Sequence, residues 1–464
     1  MNEKRLSAFK AYDIRGIIPD ELNEEMAYKI GRAYAAEIHP SGAIAICRDI
    51  RKTSSSLAAA LINGVNDAGV DTTDIGIGGT EMMYFASSLE GMGGGAMITA
   101  SHNPKDYNGI KLVGSGAVPI GEDSGLLNIE QRVRTGDIPP SASSKGAANQ
   151  LDIMDMYIDQ ILSFVDVKSL KPLKIVANAG NGCAGPVLDA LARHLPFDFI
   201  RIHFEPDGAF PNGVPNPLLV ENRNVTIEGV RTSHADLGIA WDGDFDRCFF
   251  FDENGSFVEG YYLVGFLAKN ILQRNPGAPV VHDPRLIWNT IEIVRAAGGI
   301  PVISKSGYTF IKETMRETCA VYGGENTAHH FFRDFSYSDS GMIPWLLVTE
   351  EISATGQNLG ELVNARIKRY PCSGEINRKV NDPDEVLKGV EEHFSAHATA
   401  ISHLDGVSIE FSRQWRFNLR KSNTEPVVRL NVESTRNDAL MKSKTEEILR
   451  VIEGRDTDSK VEKR

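Results

Sequence analysis

The sequence has no uninterrupted apolar run of the roughly 18 residues that a bilayer-spanning helix needs, so no membrane span is expected. Its opening, Met1-Asn2-Glu3-Lys4-Arg5, leads into mixed polar sequence without the apolar core of a secretory signal, and a soluble, cytoplasmic chain is the expectation. Cysteine is sparse. The five residues (Cys47, Cys183, Cys248, Cys319 and Cys372) are scattered, with no Cys-x-x-Cys pair, which excludes zinc-site spacing and a disulfide framework. Basic charge is in deficit: 49 Lys and Arg stand against 62 Asp and Glu, a formal charge of −13. Nucleic acid is therefore not an expected partner, although a few converging Arg and Lys can still hold a small anion. Also missing is Gly-x-x-x-x-Gly-Lys-Ser/Thr, and with it P-loop nucleotide hydrolysis.

What is present is an ordinary globular balance, 42% hydrophobic and 24% charged over 464 residues. That length is enough for several cores. Short apolar runs alternate with helical patterns. Strands are expected over 43–47 and 96–99, with a helix over 54–68 opened by serines as N-caps. A second cycle has strands at 173–177, 199–204 and 237–241 and a helix at 186–194. A third has strands at 280–282 and 301–304 and helices at 286–297 and 309–318. Such alternation predicts α/β domains with mostly parallel sheets. The last hundred or so residues differ: runs at 407–411, 415–419 and 427–432 between two helical stretches read as an α+β module with a partly antiparallel sheet. Linkers are expected at 139–149, 252–255 and 370–374, giving four domains over 1–145, 150–252, 256–368 and 373–458.

Four segments carry chemistry. In Trp241-Asp242-Gly243-Asp244-Phe245-Asp246-Arg247 three carboxylates sit at alternate positions between two apolar strands. Like charges this close repel unless a cation gathers them, and oxygen-only ligands suit a hard ion such as Mg²⁺. An EF-hand is disfavoured because its sixth position is Arg247 instead of glycine and its flanks are strands. In Ile98-Thr99-Ala100-Ser101-His102-Asn103-Pro104 a serine follows the end of a strand, where α/β sheets present ligands. Ser101 is thus placed as a nucleophile or phosphate carrier, and an ordinary Asn-Pro turn is the plain alternative. Gly324-Glu325-Asn326-Thr327-Ala328-His329 offers groups that can grip hydroxyls or move a proton, or else is a glycine turn with a surface histidine pair. Arg420-Lys421-Ser422-Asn423-Thr424 is a candidate phosphate cradle, or a polar hairpin turn.

A fifth pattern competes with these. Gly180-Asn181-Gly182-Cys183-Ala184-Gly185 fits the dinucleotide fingerprint between a strand and a helix, with Glu205 near the end of the next strand. Alone it supports an NAD-dependent oxidoreductase. It leaves the carboxylate triplet and the phosphate cradle without a use, so these glycines are read as a tight structural turn.

Taken together, the four segments resemble the α-D-phosphohexomutase superfamily, with a match close to bacterial phosphomannomutases. The resemblance spans nearly the whole chain, from Phe9-Lys10-Ala11-Tyr12-Asp13-Ile14-Arg15-Gly16 to Asn423-Thr424-Glu425-Pro426. It implies four domains around a central cleft, three α/β and a C-terminal domain of the TATA-binding-protein-like type. It further implies interconversion of mannose 6-phosphate and mannose 1-phosphate through a phosphoserine and a hexose 1,6-bisphosphate, with Mg²⁺ as cofactor and the bisphosphate as activator. Ser101 would carry the phosphoryl group and, with Asp242, Asp244 and Asp246, bind Mg²⁺. Arg15, His102, Lys111 and His329 would serve the transfer, and Tyr12 would approach the phosphoserine. Arg247, Arg285, Tyr308, Glu325 and Thr327 would contact substrate. Arg420, Ser422, Asn423 and Thr424 would clamp the phosphate that is not being transferred. Partners would be small hexose phosphates, neither nucleic acid nor membrane, with the chain a monomer or a dimer.

Two positions depart from the family pattern. The sugar loop usually reads G-E-M-S, where this chain has Gly324-Glu325-Asn326-Thr327, and Ser306-Gly307-Tyr308 stands where T-G-H is common. Both touch sugar contacts and neither touches the transfer machinery. Phosphoglucomutase or dual-specificity activity is therefore the alternative reading, ahead of a Mg²⁺-dependent sugar phosphatase or an inactive sugar-phosphate sensor.

Overall fold

The computed structural model describes residues 5–422 and 427–462. The chain forms two compact units. One comprises the chain up to Val258 together with Ala328–Leu359, the other Glu259–Thr327 together with the chain from Gly360 onward.

The first unit holds two α/β sheets. In one, Ala43–Arg48 pairs in parallel with Thr72–Ile77 and Met92–Ile98, and Tyr107–Gly114 and Ile14–Ile17 extend it antiparallel. In the other, Lys174–Asn178 lies in parallel between Asp198–Ile202 and Leu237–Trp241, and Cys248–Phe251 and Phe257–Val258 add antiparallel hairpin strands. Strands buried on both faces read as continuous apolar runs instead of alternation, which is why Leu237–Trp241 and Cys248–Phe251 are buried at every position. Ile30, Tyr34, Ile44, Ile46, Leu57, Leu61, Ile98 and Ile110 are among the residues that close the first core, where helices cover the sheet. Burying each such aliphatic side chain contributes roughly 1.5–3 kcal/mol. The hairpin His330–Phe332 and Ser338–Asp339 also belongs to this unit.

In the second unit, Pro279–His282 pairs in parallel with Ile300–Ile303 and Tyr322–Gly324. The last sheet runs Ile376–Lys379, Val427–Ser434, Trp415–Lys421, Val407–Phe411, Ala400–Ser402, and every pair in it is antiparallel. Its mostly aliphatic core carries an aromatic cluster, with Phe411 stacked on Trp415 at 4.0 Å between ring centroids and Phe394 edge-on to both.

Three local expectations need correction. The helix Ser54–Asp67 is not capped by its serines: Thr53 is the cap position, and Ser54 is buried with Oγ donating to Asp49 Oδ1 at 2.5 Å. The turn at 252–255 is not a linker. It closes the hairpin between Cys248–Phe251 and Phe257–Val258, with Asp252 Oδ1 accepting from the Asn254 and Ser256 amides. The stretch 139–149 runs into a short strand, Ala148–Gln150, on the edge of the first sheet.

Candidate active site

In the first unit the site is built where strands end. Beyond Met92–Ile98 the chain turns, and Ser101 takes a φ of +49°, a left-handed conformation that a non-glycine residue adopts only when its surroundings fix it. The Ser101 amide donates to Thr99 Oγ1 at 2.8 Å. Arg51 supplies the rest of the constraint. Its guanidinium donates to the carbonyls of Ser101, Asn103, Pro104 and Tyr107 at 2.6–3.0 Å, while Asp49 lies 3.4 Å away. One buried cation therefore replaces the hydrogen bonds that a tight loop cannot make with itself.

Asp242, Asp244 and Asp246 occupy the connection from Leu237–Trp241 to Cys248–Phe251 and are all fully buried. One carboxylate oxygen from each lies within 4.8 Å of the others. Ser101 Oγ donates to Asp242 Oδ2 at 2.9 Å, and Arg247 donates to the same oxygen through Nε at 2.9 Å and Nη2 at 2.6 Å. Arg247 Nη2 also reaches Ser101 Oγ at 3.2 Å and lies against His102 Nδ1. Lys111, on the strand Tyr107–Gly114, extends Nζ to Asp244 Oδ2 at 2.8 Å and Asp246 Oδ2 at 2.6 Å. His329 Nε2 is 3.6 Å from Asp246 Oδ1. Arg15 Nη1 donates to Asn103 Oδ1 at 2.6 Å while its Nε pairs with Asp13.

The electrostatics follow from this crowding. Burial pushes the Asp242 carboxyl up to about 6, Arg247 pulling against it and the neighbouring aspartates adding to it. At Asp246 burial acts the same way, but Lys111, His329 and Arg247 outweigh it and hold the carboxyl well below its ordinary range. Burial, then the charges of Arg247 and Arg15, drive His102 well below an ordinary histidine, so the ring is neutral at pH 7. The donor set fits a hard divalent cation on an independent observation. Among the described residues Asp244 Oδ1 is buried without a hydrogen bond and Asp246 Oδ1 has only His329 and Arg247 at 3.6–3.8 Å, lone pairs that a hard cation would take up.

The second unit gathers a different set. Arg285 is buried, with Nη2 on Asp283 Oδ2 at 2.6 Å and 3.3 Å from both Glu325 Oε1 and Thr327 Oγ1. Its Nη1 is 3.3 Å from Glu375 Oε2. Glu325 Oε1 also accepts from the Gly307 amide at 2.8 Å. Asp283 takes the Asn326 amide at 2.7 Å and Asn326 Nδ2 at 3.1 Å, so the polar Asn326 ties its loop to the Asp283 turn. Tyr308 opens the helix Tyr308–Thr318, and Lys312 Nζ lies 5.5 Å from its ring centroid. Arg420, on Trp415–Lys421, is 3.5 Å from Glu375 Oε2, and the Ser422 amide donates to the Val427 carbonyl at 2.8 Å. Asn423 and Thr424 lie outside the described residues.

The structure thus brings Ser101, His102, Arg15, Lys111, the three aspartates, Arg247 and His329 together in the first unit, with Tyr12 half-buried on the loop before Arg15. It brings Arg285, Glu325 and Thr327 together in the second, with Arg420 joined to Arg285 through Glu375. Sequence reasoning missed Arg51, Thr80, Asp283 and Glu375. Thr80 donates to Asp244 Oδ2 at 2.5 Å, and Gly79 before it lies so close to the aspartate loop that a Cβ there would come within 2.5 Å of the Asp244 carbonyl. Arg51, Thr80 and Asp283 follow strand ends as the functional loops do, a positional signal that was available; Glu375 carried none. The dinucleotide-like turn is occupied by the protein itself. The amides of Asn181, Gly182 and Cys183 donate to the carbonyls of His203, Ala179 and Gly243, leaving none of the three for a pyrophosphate.

Four family descriptions match in order: phosphoglucomutase/phosphomannomutase alpha/beta/alpha domain I over residues 6–138, domain II over 155–255, domain III over 259–370 and the C-terminal domain over 375–451. A phosphomannomutase of Salmonella montevideo is 54% identical over 96% of this chain and 99% of its own length. A protein of Xanthomonas campestris called "Phosphohexose mutases" is 53% identical over 97% of this chain and 100% of its own. A crystal structure of a phosphoglucomutase/phosphomannomutase family protein from Burkholderia thailandensis, 30% identical, superposes with a TM-score of 0.86 over 97% of this chain and 98% of that one. With every domain matched in order and relatives of this identity over nearly its full length, the chain belongs to the phosphoglucomutase/phosphomannomutase family, an enzyme family of phosphohexose mutases.

Proposed function

We propose that this protein is a phosphomannomutase that interconverts mannose 6-phosphate and mannose 1-phosphate in the cytoplasm, with Ser101 as the phosphoryl carrier. The observation that carries the reading is the contact of Ser101 Oγ with Asp242 Oδ2 at 2.9 Å inside a buried three-carboxylate group. Relatives about half identical over the full chain are named phosphomannomutase, which supports mannose phosphates as the substrate class. A four-domain division is part of the same reading, with the second domain running past the expected 252 to include the hairpin strand Phe257–Val258, as is a monomer or a dimer.

Phosphoryl transfer calls for in-line positioning and charge stabilisation more than for covalent chemistry. Asp242, Asp244 and Asp246 would hold Mg²⁺, which when bound neutralises charge on the transferring phosphoryl oxygens. In the first half-reaction the Oγ–P bond of phospho-Ser101 breaks and that oxygen takes up a proton, as the free hydroxyl of the hexose monophosphate forms a new O–P bond and gives up its own. The 1,6-bisphosphate turns over, and its other phosphoryl group returns to Ser101, whose hydroxyl gives up its proton while the sugar oxygen regains one. Added hexose 1,6-bisphosphate would activate by charging Ser101. Lys111 and His329 would carry the protons, with Lys111 Nζ between Asp244 and Asp246 and His329 Nε2 beside Asp246. Arg15, Tyr12 and Arg247 would flank the transferring group. Glu325 and Thr327 would hold sugar hydroxyls beside Arg285 and Tyr308, and Arg420, Ser422, Asn423 and Thr424 would clamp the distal phosphate.

Phosphorus NMR with Mg²⁺, mannose 1-phosphate and a trace of glucose 1,6-bisphosphate tests this, with glucose 1-phosphate in parallel. Growth of a 6-phosphate signal without free phosphate is the expected result, faster from mannose. A faster glucose reaction would support the phosphoglucomutase or dual-specificity alternative, which the engagement of Asn326 by Asp283 and of Tyr308 by Lys312 keeps open. Free phosphate alone would mean a hydrolase.

A further inference from the structure

The last sheet places two like charges opposite each other. Arg420 and Arg429 are direct cross-strand partners on Trp415–Lys421 and Val427–Ser434, a pairing that is unfavourable on its own. Between them lies Glu375, just before the edge strand Ile376–Lys379. Its Oε1 is 3.2 Å from Arg429 Nη1, and its Oε2 is 3.5 Å from Arg420 Nη2 and 3.3 Å from Arg285 Nη1. Three guanidinium groups from three separate strands or loops therefore converge on one carboxylate. Among the described residues, Arg285 Nε and Arg420 Nε are buried without a hydrogen bond. Burial pushes the Glu375 carboxyl up, but Arg285, Arg420 and Arg429 outweigh it and keep it ionised.

We propose that Glu375 is a built-in counter-ion of the phosphate clamp, a carboxylate that competes with the distal phosphate for Arg285, Arg420 and Arg429 and so makes the clamp let go. This rests on the mutase reading above, in which Arg420 grips a phosphate. That cycle requires one clamp to release one end of the bisphosphate and take the other within each turnover. Guanidinium groups converging on a phosphate dianion without a counter-charge would bind substrate and intermediate alike, and uniform binding lowers KM without raising kcat. A carboxylate already seated among them offsets part of that attraction. It also keeps the arginines gathered when no phosphate is bound, as an unpaired buried cluster would be costly. Glu375 is a positioning residue here, acting through the arginines.

The test measures binding of inorganic phosphate to the full-length protein by calorimetry, with R420Q assigning the signal to this cluster. E375Q, which removes the charge and keeps the shape, is expected to bind phosphate five- to tenfold more tightly, with KM for hexose monophosphate and kcat both lowered. E375D keeps the charge but draws it back by a methylene, and tightening of two- to threefold is expected. If E375Q melts early, E375D decides the matter by itself. Unchanged or weaker phosphate binding in the folded variants, or a raised KM, would overturn the proposal and leave Glu375 a structural staple. Phosphate binding that R420Q does not affect would instead overturn the clamp reading on which the proposal stands.

Discussion

Ser101 Oγ and Asp242 Oδ2 are 2.9 Å apart although 141 positions separate the two residues in sequence. Each stands just beyond the end of a parallel strand, Met92–Ile98 for one and Leu237–Trp241 for the other, in two sheets of a single compact unit. Strand ends are where α/β sheets expose backbone and shape ligand sites. The contact joins the proposed phosphoryl carrier to the carboxylate group that would hold its metal.

Replacing Ser101 with Ala is expected to lower mutase turnover at least a thousandfold, the scale seen when a nucleophile is removed. Incubation with hexose 1,6-bisphosphate should add about 80 Da to the intact mass of the wild type and nothing to S101A. A variant that retains turnover near the wild-type rate would sink the phosphoserine assignment.

Thr80 donates to Asp244 Oδ2 and in turn accepts from Lys111 Nζ at 3.1 Å, which leaves Asp244 Oδ1 as the oxygen without a hydrogen bond. Groups that orient a metal ligand typically matter 10–100-fold in metal affinity. T80V is expected to weaken Mg²⁺ binding in calorimetry by about that factor, and T80S to restore it. Equal affinity in T80V and wild type would show that the hydroxyl does not orient the carboxylate.

Arg416 and Glu433 form a buried ion pair at 3.0 Å in the second unit, and Arg416 also donates to the carbonyls of Arg285 at 2.8 Å and Pro284 at 3.0 Å. Removing one partner of such a pair strands the other, at a cost of about 3–5 kcal/mol. R416M should therefore melt several degrees early in a thermal scan. It should also raise KM more than it lowers kcat, because the backbone that carries Arg285 loses its brace.

Glu292 accepts from Arg366, Arg369 and Tyr370 at 2.5–3.0 Å, joining the helix Trp288–Ala296 to the helix Leu359–Arg369. Burial pushes its carboxyl up, but the bonds from Arg369, Tyr370 and Arg366 prevail and hold it at about 2, against 4.5 ordinarily. A folded-state value below the unfolded one gives stability that is complete above pH 4.5 and is lost as the pH falls toward 2. Because the group is partly exposed, the effect is screened to about 1 kcal/mol. E292Q should melt slightly below wild type at pH 6, and the difference should shrink on acidification toward pH 3. A gap that widens in acid would contradict this assignment.

Much of the fold was legible because hydrophobic pattern is local. Leu237–Trp241 marks itself as an apolar run and Val407–Phe411 by alternation, and the expected bounds match the strands. Serines at 54–56 misled because a cap differs from an interior serine only in what its hydroxyl meets, and Ser54 meets the distant Asp49. The hairpin turn at 252–255 looked like a linker because turn residues serve both purposes.

The sequence by itself determined which loops carry reactive groups: a serine past a strand, three alternating aspartates between two strands, a glycine-led Glu-Asn-Thr and a basic hairpin. Tertiary structure alone decided which of them meet and what holds them there. Arg51 pins the serine loop, Thr80 aims an aspartate, Asp283 binds the Glu-Asn-Thr loop and Glu375 sits among the arginines. The physical reason is that residue type and periodicity fix local backbone and burial. The partner of a buried charge is fixed only when separate strands and loops pack, since the cost of leaving that charge unpaired is felt only in the folded interior.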